Sequence, residues 1–165
     1  MEPIYRLMTT EADYRAGCDE VIRLAENEIL IFDRDLLATR LDEPQRAIRL
    51  EQFLAADRAR RIRIVLHEPE IVRKHSPRMM QLLARFSHQM EVREIPDNLR
   101  HLADTHILAD HRHGVRRFQF DQPRSALIVE DPPAISPWWD RYSELWEQSH
   151  RSEEHTSELQ SRGLI

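Results

Sequence analysis

The stretch LADTHILADHRHG, residues 102–114, concentrates side chains that could do chemistry: Asp104, His106, Asp110, His111 and His113, with His101 just before it. Three kinds of site could use them. A zinc centre needs three or four ligands converging at about 2 Å, and His111-x-His113 would share one face of an extended segment. No cysteine is near, however, and the histidines straddle an expected turn, so solvated turn histidines account for them and no metal is expected. A catalytic phosphodiesterase motif is the second possibility for such a cluster. A nucleophilic triad has as little support as the metal centre. The chain has no Gly-x-Ser-x-Gly elbow, and Cys18 lies on the apolar stripe of a helix, as an inert core thiol does.

A second set of candidates lies where apolar runs end. Asp33 and Arg34 follow EILIF (28–32), and His67 and Glu68 follow RIRIVL (61–66). In open α/β sheets the carboxyl ends of strands are where ligands bind, although strand ends also turn polar simply on meeting solvent. The basic run RARRIR (58–63) alternates Arg61 and Arg63 with Ile62 and Ile64, which reads as a solvated strand face. With only 3 glycines the chain has no Gly-rich phosphate loop, and no cofactor is expected.

The elements that must position these residues follow from periodicity. Thr10 with Asp13 reads as the start of a helix to about Asn27, with Tyr14, Cys18, Val21, Ile22 and Ala25 at helical spacing. EILIF is a buried strand, Pro44 opens a second helix, and RIRIVL is a second strand. Ser76-Pro77 launches a helix with Met79, Leu82, Leu83 and Phe86 on one stripe. MEVREI (90–95) alternates as a strand. THILAD and GVRRFQF flank a turn at 111–114 as a hairpin, SALIVE (125–130) is a further strand, and Ser136-Pro137 caps a last helix. Helices alternating with apolar strands, and a hairpin near the end, give an α/β fold: a mixed β-sheet with helices on both faces.

Composition bounds the rest. Of 165 residues 41% are hydrophobic, enough for the core of one domain, assigned here to residues 1–150. Residues 151–161, RSEEHTSELQS, spell a translated sequencing adapter, so 151–165 is read as a non-native tail. The net charge of −5 offers no global field for nucleic acid, which makes it an unfavoured partner without removing it. All but one of the 24 basic residues are arginine, as a GC-rich genome would produce. The single cysteine allows no internal disulfide, and no signal peptide or membrane-spanning run is evident, so the expected location is cytoplasmic.

Taken in order, ILIFDRDL, RIRIVLHEPE, ADTHILADHRHG followed by GVRRF, and the closing WWDRYSELWEQS resemble one half of the phospholipase D-like superfamily. They resemble more closely a bacterial branch of it, a domain of unknown function. Active members of the superfamily carry His-x-Lys-(x)4-Asp, in which the histidine attacks phosphorus and the lysine steadies the phosphate oxygens. With Asp110 as the motif aspartate, Ala103 stands at the histidine and Thr105 at the lysine. With His106 as the nucleophile, Leu108 replaces the lysine and His113 the aspartate. The first register keeps ILAD as a strand running into its turn. The resemblance therefore implies a degenerate site without a catalytic residue, in a protein that binds or assembles, as a homodimer across the former active-site face or on a phosphorylated ligand. The candidate ligand-binding residues are Asp33, Arg34, His67, Asp104, His106, Asp110, Arg116 and Arg117. The alternative is a phosphodiesterase that uses His106.

Overall fold

A computed structural model describes residues 2–151; the reading of 152–165 as part of a non-native tail lies outside the described residues. The elements in order are β1 (Ile4–Met8), α1 (Glu11–Leu24), β2 (Glu28–Asp33), α2 (Pro44–Ala56), β3 (Arg61–Leu66), α3 (Pro69–His75), α4 (Pro77–Arg85), β4 (Met90–Glu94), β5 (Thr105–Ala109), β6 (His113–Arg117), β7 (Ser125–Val129), α5 (Pro132–Gln148) and β8 (His150–Arg151), with a short 3-10 turn at Asp97–Leu99. The eight strands form one sheet in the order β1-β7-β6-β5-β2-β3-β4-β8. β2, β3 and β4 run parallel, and the remaining neighbours pair antiparallel. The mixed sheet with helices on both faces is as expected.

The two faces have separate cores. Ile29, Ile31, Ile62, Ile64, Leu66, Ile107 and Val115 point to the side covered by α1, α2 and α4. Leu30, Phe32, Val65 and Leu108 point to the other, beneath α5 and its Ile135, Trp139, Tyr142, Leu145 and Trp146. A strand buried on both faces reads as an unbroken apolar run, which is why EILIF does not alternate. Gly114 lets α5 close on the sheet: a Cβ there would lie 2.8 Å from Leu108 and 2.9 Å from Ile135.

Helix starts follow local chemistry. Thr10 Oγ1 accepts the Asp13 N–H at 3.0 Å, the expected N-cap of α1, although the helix ends at Leu24 rather than Asn27. Each of α2, α3, α4 and α5 opens on proline, whose missing N–H costs nothing there. The last helix departs from expectation. It starts at Pro132, not after Ser136, because Asp131 accepts the Ala134 N–H at 3.3 Å and Pro132-Pro133 present helical φ. β1, α3 and β8 were not expected either. β1 is too exposed to show an apolar face, while α3 and β8 are too short for periodicity to reveal.

Candidate functional site

The candidate residues separate by sheet geometry. The carboxyl ends of β2 and β3, the start of β5 and the end of β6 meet at one end of the sheet. Asp33, Arg34, His67, Asp104, His106, Arg116 and Arg117 all lie toward that end. Asp110 does not. It follows the last residue of β5, at the other end of a strand that spans about 17 Å. There its carboxylate accepts the backbone N–H groups of Glu26 (2.7 Å), Asn27 (2.9 Å) and Glu28 (2.8 Å), tying the β5–β6 turn to the start of β2. Asp110 and His111 both have positive φ, 56° and 61°, as a tight hairpin turn demands and aspartate tolerates. Its place among the ligand-binding candidates is thus corrected to a structural one.

On the α1 side, the end of the sheet forms a cleft of about 250 Å³ lined by Asp33, Arg34, Asp35, Leu37, Ala38, Thr105, Arg117 and Phe120. Thr105, at the start of β5, belongs to this lining, and the Ala103 carbonyl just before it accepts the Phe120 N–H at 2.7 Å. Thr105 Oγ1 is 3.2 Å from the buried Tyr14 hydroxyl. Arg117 is held by both oxygens of Glu11, at 2.7 and 2.6 Å, so its charge is already matched. Arg34 is different: its guanidinium lies 4.2 Å over the Phe120 ring, with no carboxylate within ion-pair distance among the described residues. Asp33 is buried, and burial pushes its carboxyl up to about 6 against the opposing hydrogen bonds from the Arg34 and Leu36 N–H groups. Cys18, wholly buried below, has its thiol pushed up by burial and is inert.

The opposite parity of β5 and β6 sends the remaining residues under α5. His106 is 1% exposed, its ring boxed by Phe32, Trp138 and Tyr142, and neither ring nitrogen has a hydrogen-bond partner. Burial lowers its pKa, while Asp104 Oδ2, 3.6 Å from Nδ1, acts in the opposite direction. A nucleophile must reach phosphorus, and His106 lies sealed beneath α5. Asp104 beside it accepts a bidentate pair from Arg141 at 2.7 and 2.8 Å and has Arg116 Nε at 3.6 Å. Burial opposes its ionisation, but His106 and Arg141 hold the carboxyl well below the usual carboxylate range. Arg116 stacks 3.8 Å over Trp138 and faces Phe118 at 5.4 Å, and Arg124 lies 5.6 Å over the same Phe118. His67 is a strut, its Nε2 donating to the Leu102 carbonyl at 2.9 Å.

The histidine cluster disperses in space. His101 is exposed before β5, His106 is sealed, His111 stacks on Trp139 at 3.8 Å, and His113 is buried at the start of β6. Among the described residues no group of three or more histidine, cysteine, aspartate or glutamate side chains could hold a metal ion. Sequence reasoning missed Glu11, Tyr14, Phe120, Trp138 and Arg141. Only RRFQF, with arginines beside alternating aromatics, hinted at the stacked arginines.

Residues 10–157 match the family described as a domain of unknown function, DUF7931, and the chain belongs to that family. Solved structures agree on the fold. Nuc from Salmonella typhimurium, a phospholipase D family member, superposes with a TM-score of 0.59 at 15% identity, covering 91% of this chain and 98% of that one. NucT from Helicobacter pylori gives 0.62 at 12% identity, covering 91% and 99%. TrmBL2, an archaeal chromatin protein with a novel mode of DNA binding, gives 0.64 at 15% identity, covering 89% of this chain. The chain spans about half, 53%, of that protein's length. No curated protein matches in sequence.

Proposed function

We propose that this phospholipase D-like domain is non-catalytic and binds an anionic, phosphate-bearing ligand at the degenerate end of its sheet. The observation that carries the reading is the cleft itself. Its lining holds Thr105 and Arg117 but neither histidine nor lysine, and the nearest histidine in sequence, His106, faces away beneath α5. Phosphoryl transfer needs a nucleophile and fixed positive charge at the reacting group. The cleft offers two arginines, Arg34 and the Glu11-paired Arg117, beside the carboxylates Asp33 and Asp35. Arg34 is preorganised for recognition, since stacking on Phe120 orients its fork of donors while leaving the edge open. Arg116, stacked on Trp138 and Phe118 beyond the cleft, is turned to Asp104, its Nε 3.6 Å from the carboxylate.

The test uses p-nitrophenyl phosphate and bis-p-nitrophenyl phosphate, followed both by calorimetric titration and by nitrophenol release. Binding without turnover is expected, with Arg34→Ala weakening affinity about tenfold, the loss of one charge-assisted contact. Hydrolysis of the diester that disappears in His106→Ala would overturn the non-catalytic reading. Affinity unchanged in Arg34→Ala would remove the cleft as the site.

A further inference from the structure

The α1 face of the sheet is largely apolar, but one row of residues at the cleft is not. Thr105 stands opposite Arg117 across β5 and β6, and Arg117 opposite Ser125 across β6 and β7. Asp33, one residue beyond the Phe32–His106 pair, continues the row on β2. Residues opposite one another on neighbouring strands share a face, and all four are buried. Thr105 meets Tyr14 and Arg117 meets Glu11, but the Ser125 hydroxyl has no hydrogen-bond partner among the described residues. Asp33 is incomplete in another way. Its carboxylate accepts the Leu36 N–H at 3.0 Å and the Arg34 N–H, which leaves acceptor sites unused. No basic side chain among the described residues lies within 4 Å of it. A buried carboxylate is costly unless a donor or a proton meets it. Around it stand Tyr14 and Cys18 of α1, Asp35 of its own loop and Arg117 of β6, while His67 after β3 turns to its carbonyl instead. The loop fixes its position: Leu36 is left-handed at φ 66°, its N–H held by Asp33 and its carbonyl by Thr39 Oγ1 at 3.0 Å.

We propose, resting on the anion site described above, that Asp33 selects anions that carry an acidic proton: hydrogen phosphate, or the phosphate end of a monoester. Its carboxylate accepts the P–OH, while Arg34 and the Thr105 hydroxyl hold the other oxygens. A carboxylate in an anion site repels any anion that only accepts hydrogen bonds and favours one that also donates. Sulfate and hydrogen phosphate match in charge and shape, but only hydrogen phosphate has a hydrogen to give. A phosphodiester has none either, so ionised Asp33 turns it away. Burial pushes the Asp33 carboxyl up to about 6, so the selection operates above that pH. In acid the protonated carboxyl donates instead, and sulfate and diesters are accepted.

Calorimetric titration of the full chain with sodium phosphate and with sodium sulfate at pH 8 tests this directly. Phosphate is expected to bind roughly ten- to a hundredfold tighter than sulfate, the ratio that one charge-assisted hydrogen bond supplies. Asp33→Asn, whose amide donates as well as accepts, is expected to bring the two anions within about threefold, with circular dichroism showing that the variant is folded. In the wild type, sulfate affinity should climb as pH falls from 8 through 6. Phenyl phosphate, an ester that still carries a proton near about pH 6, separates the two sources of a P–OH group. Binding tighter than inorganic phosphate at that pH assigns the monoester, and weaker binding assigns the free ion. Equal wild-type affinities for phosphate and sulfate at pH 8 would overturn the selectivity and leave the anion site standing. So would a preference that survives in Asp33→Asn. No binding of either anion at any pH would overturn the site and the selectivity together.

Discussion

Replacing Asp110 by alanine separates a structural aspartate from a catalytic one. Its carboxylate accepts three backbone N–H groups, two at exposed positions and one, from Glu28, part-buried. Water can replace an exposed bond at a cost of about 0.5–1 kcal/mol each, while the part-buried, charge-assisted bond is worth about 1.5 kcal/mol. The sum is about 3 kcal/mol, and alanine's poorer tolerance of the left-handed turn adds to it. For a chain of this size each kcal/mol moves the melting temperature by about 2–4 °C. Asp110→Ala should therefore melt about 6–12 °C lower in a thermal scan followed by circular dichroism. Asp110→Asn, which keeps the turn preference and one acceptor oxygen, should fall between it and the wild type. At a temperature where all three are folded, phosphate-ester affinity should be unchanged, because Asp110 sits at the far end of β5 from the cleft. A melting temperature within a degree of wild type would refute the reasoning. A large affinity loss in the folded variant would refute it equally.

Three other outcomes follow from the charges. Asp33 has a folded pKa of about 6 against an ordinary 3.8, so its contribution to stability is full below about pH 4 and lost as pH rises through 6. Asp33→Asn should therefore match wild type in urea titrations near pH 4 and exceed it by about 3 kcal/mol above pH 7; a difference independent of pH would contradict this. Asp104 is the opposite case: its ionised form is stabilised by Arg141 and Arg116, so Asp104→Ala should cost about 2 kcal/mol, a buried-pair penalty reduced by the partial exposure of both arginines. That deficit should be complete above pH 4 and shrink on further acidification, and an unchanged urea midpoint at neutral pH would argue against it. Finally, fluorescence anisotropy with a labelled oligonucleotide should show weak or absent binding. High affinity that falls steeply with salt would shift the reading toward nucleic acid.

Much of the architecture was legible in the sequence because its signals are local. An apolar run bounded by charge, as in EILIF, has few solutions other than a strand covered on both faces. Prolines at 44 and 77 announce helix starts through a missing N–H. Thr10 caps α1 through a contact three residues away. Where two local signals competed, at Asp131 and at Ser136-Pro137, only the packed helix decided between them. β1 carried no legible signal because an edge strand need not alternate apolar and polar residues.

The candidate site was legible only in part. Sequence shows alanine at 103 and threonine at 105, neither of which carries an imidazole or a positive charge. It could not say on which side of the sheet His106 lies, because one residue of strand register exchanges the two faces. The same parity rule sends neighbouring Arg116 and Arg117 to opposite faces, one to Trp138 and Asp104 and the other to Glu11. Partners such as Glu11 and Arg141 lie far from these residues along the chain, and no spacing encodes them. The sequence by itself thus determined the kind of fold, a mixed α/β sheet with helices on both faces. Tertiary structure alone decided which charges are matched, as Arg117 is by Glu11, and which, like Arg34, lie over an aromatic ring instead, because charge pairing depends on distances that folding sets.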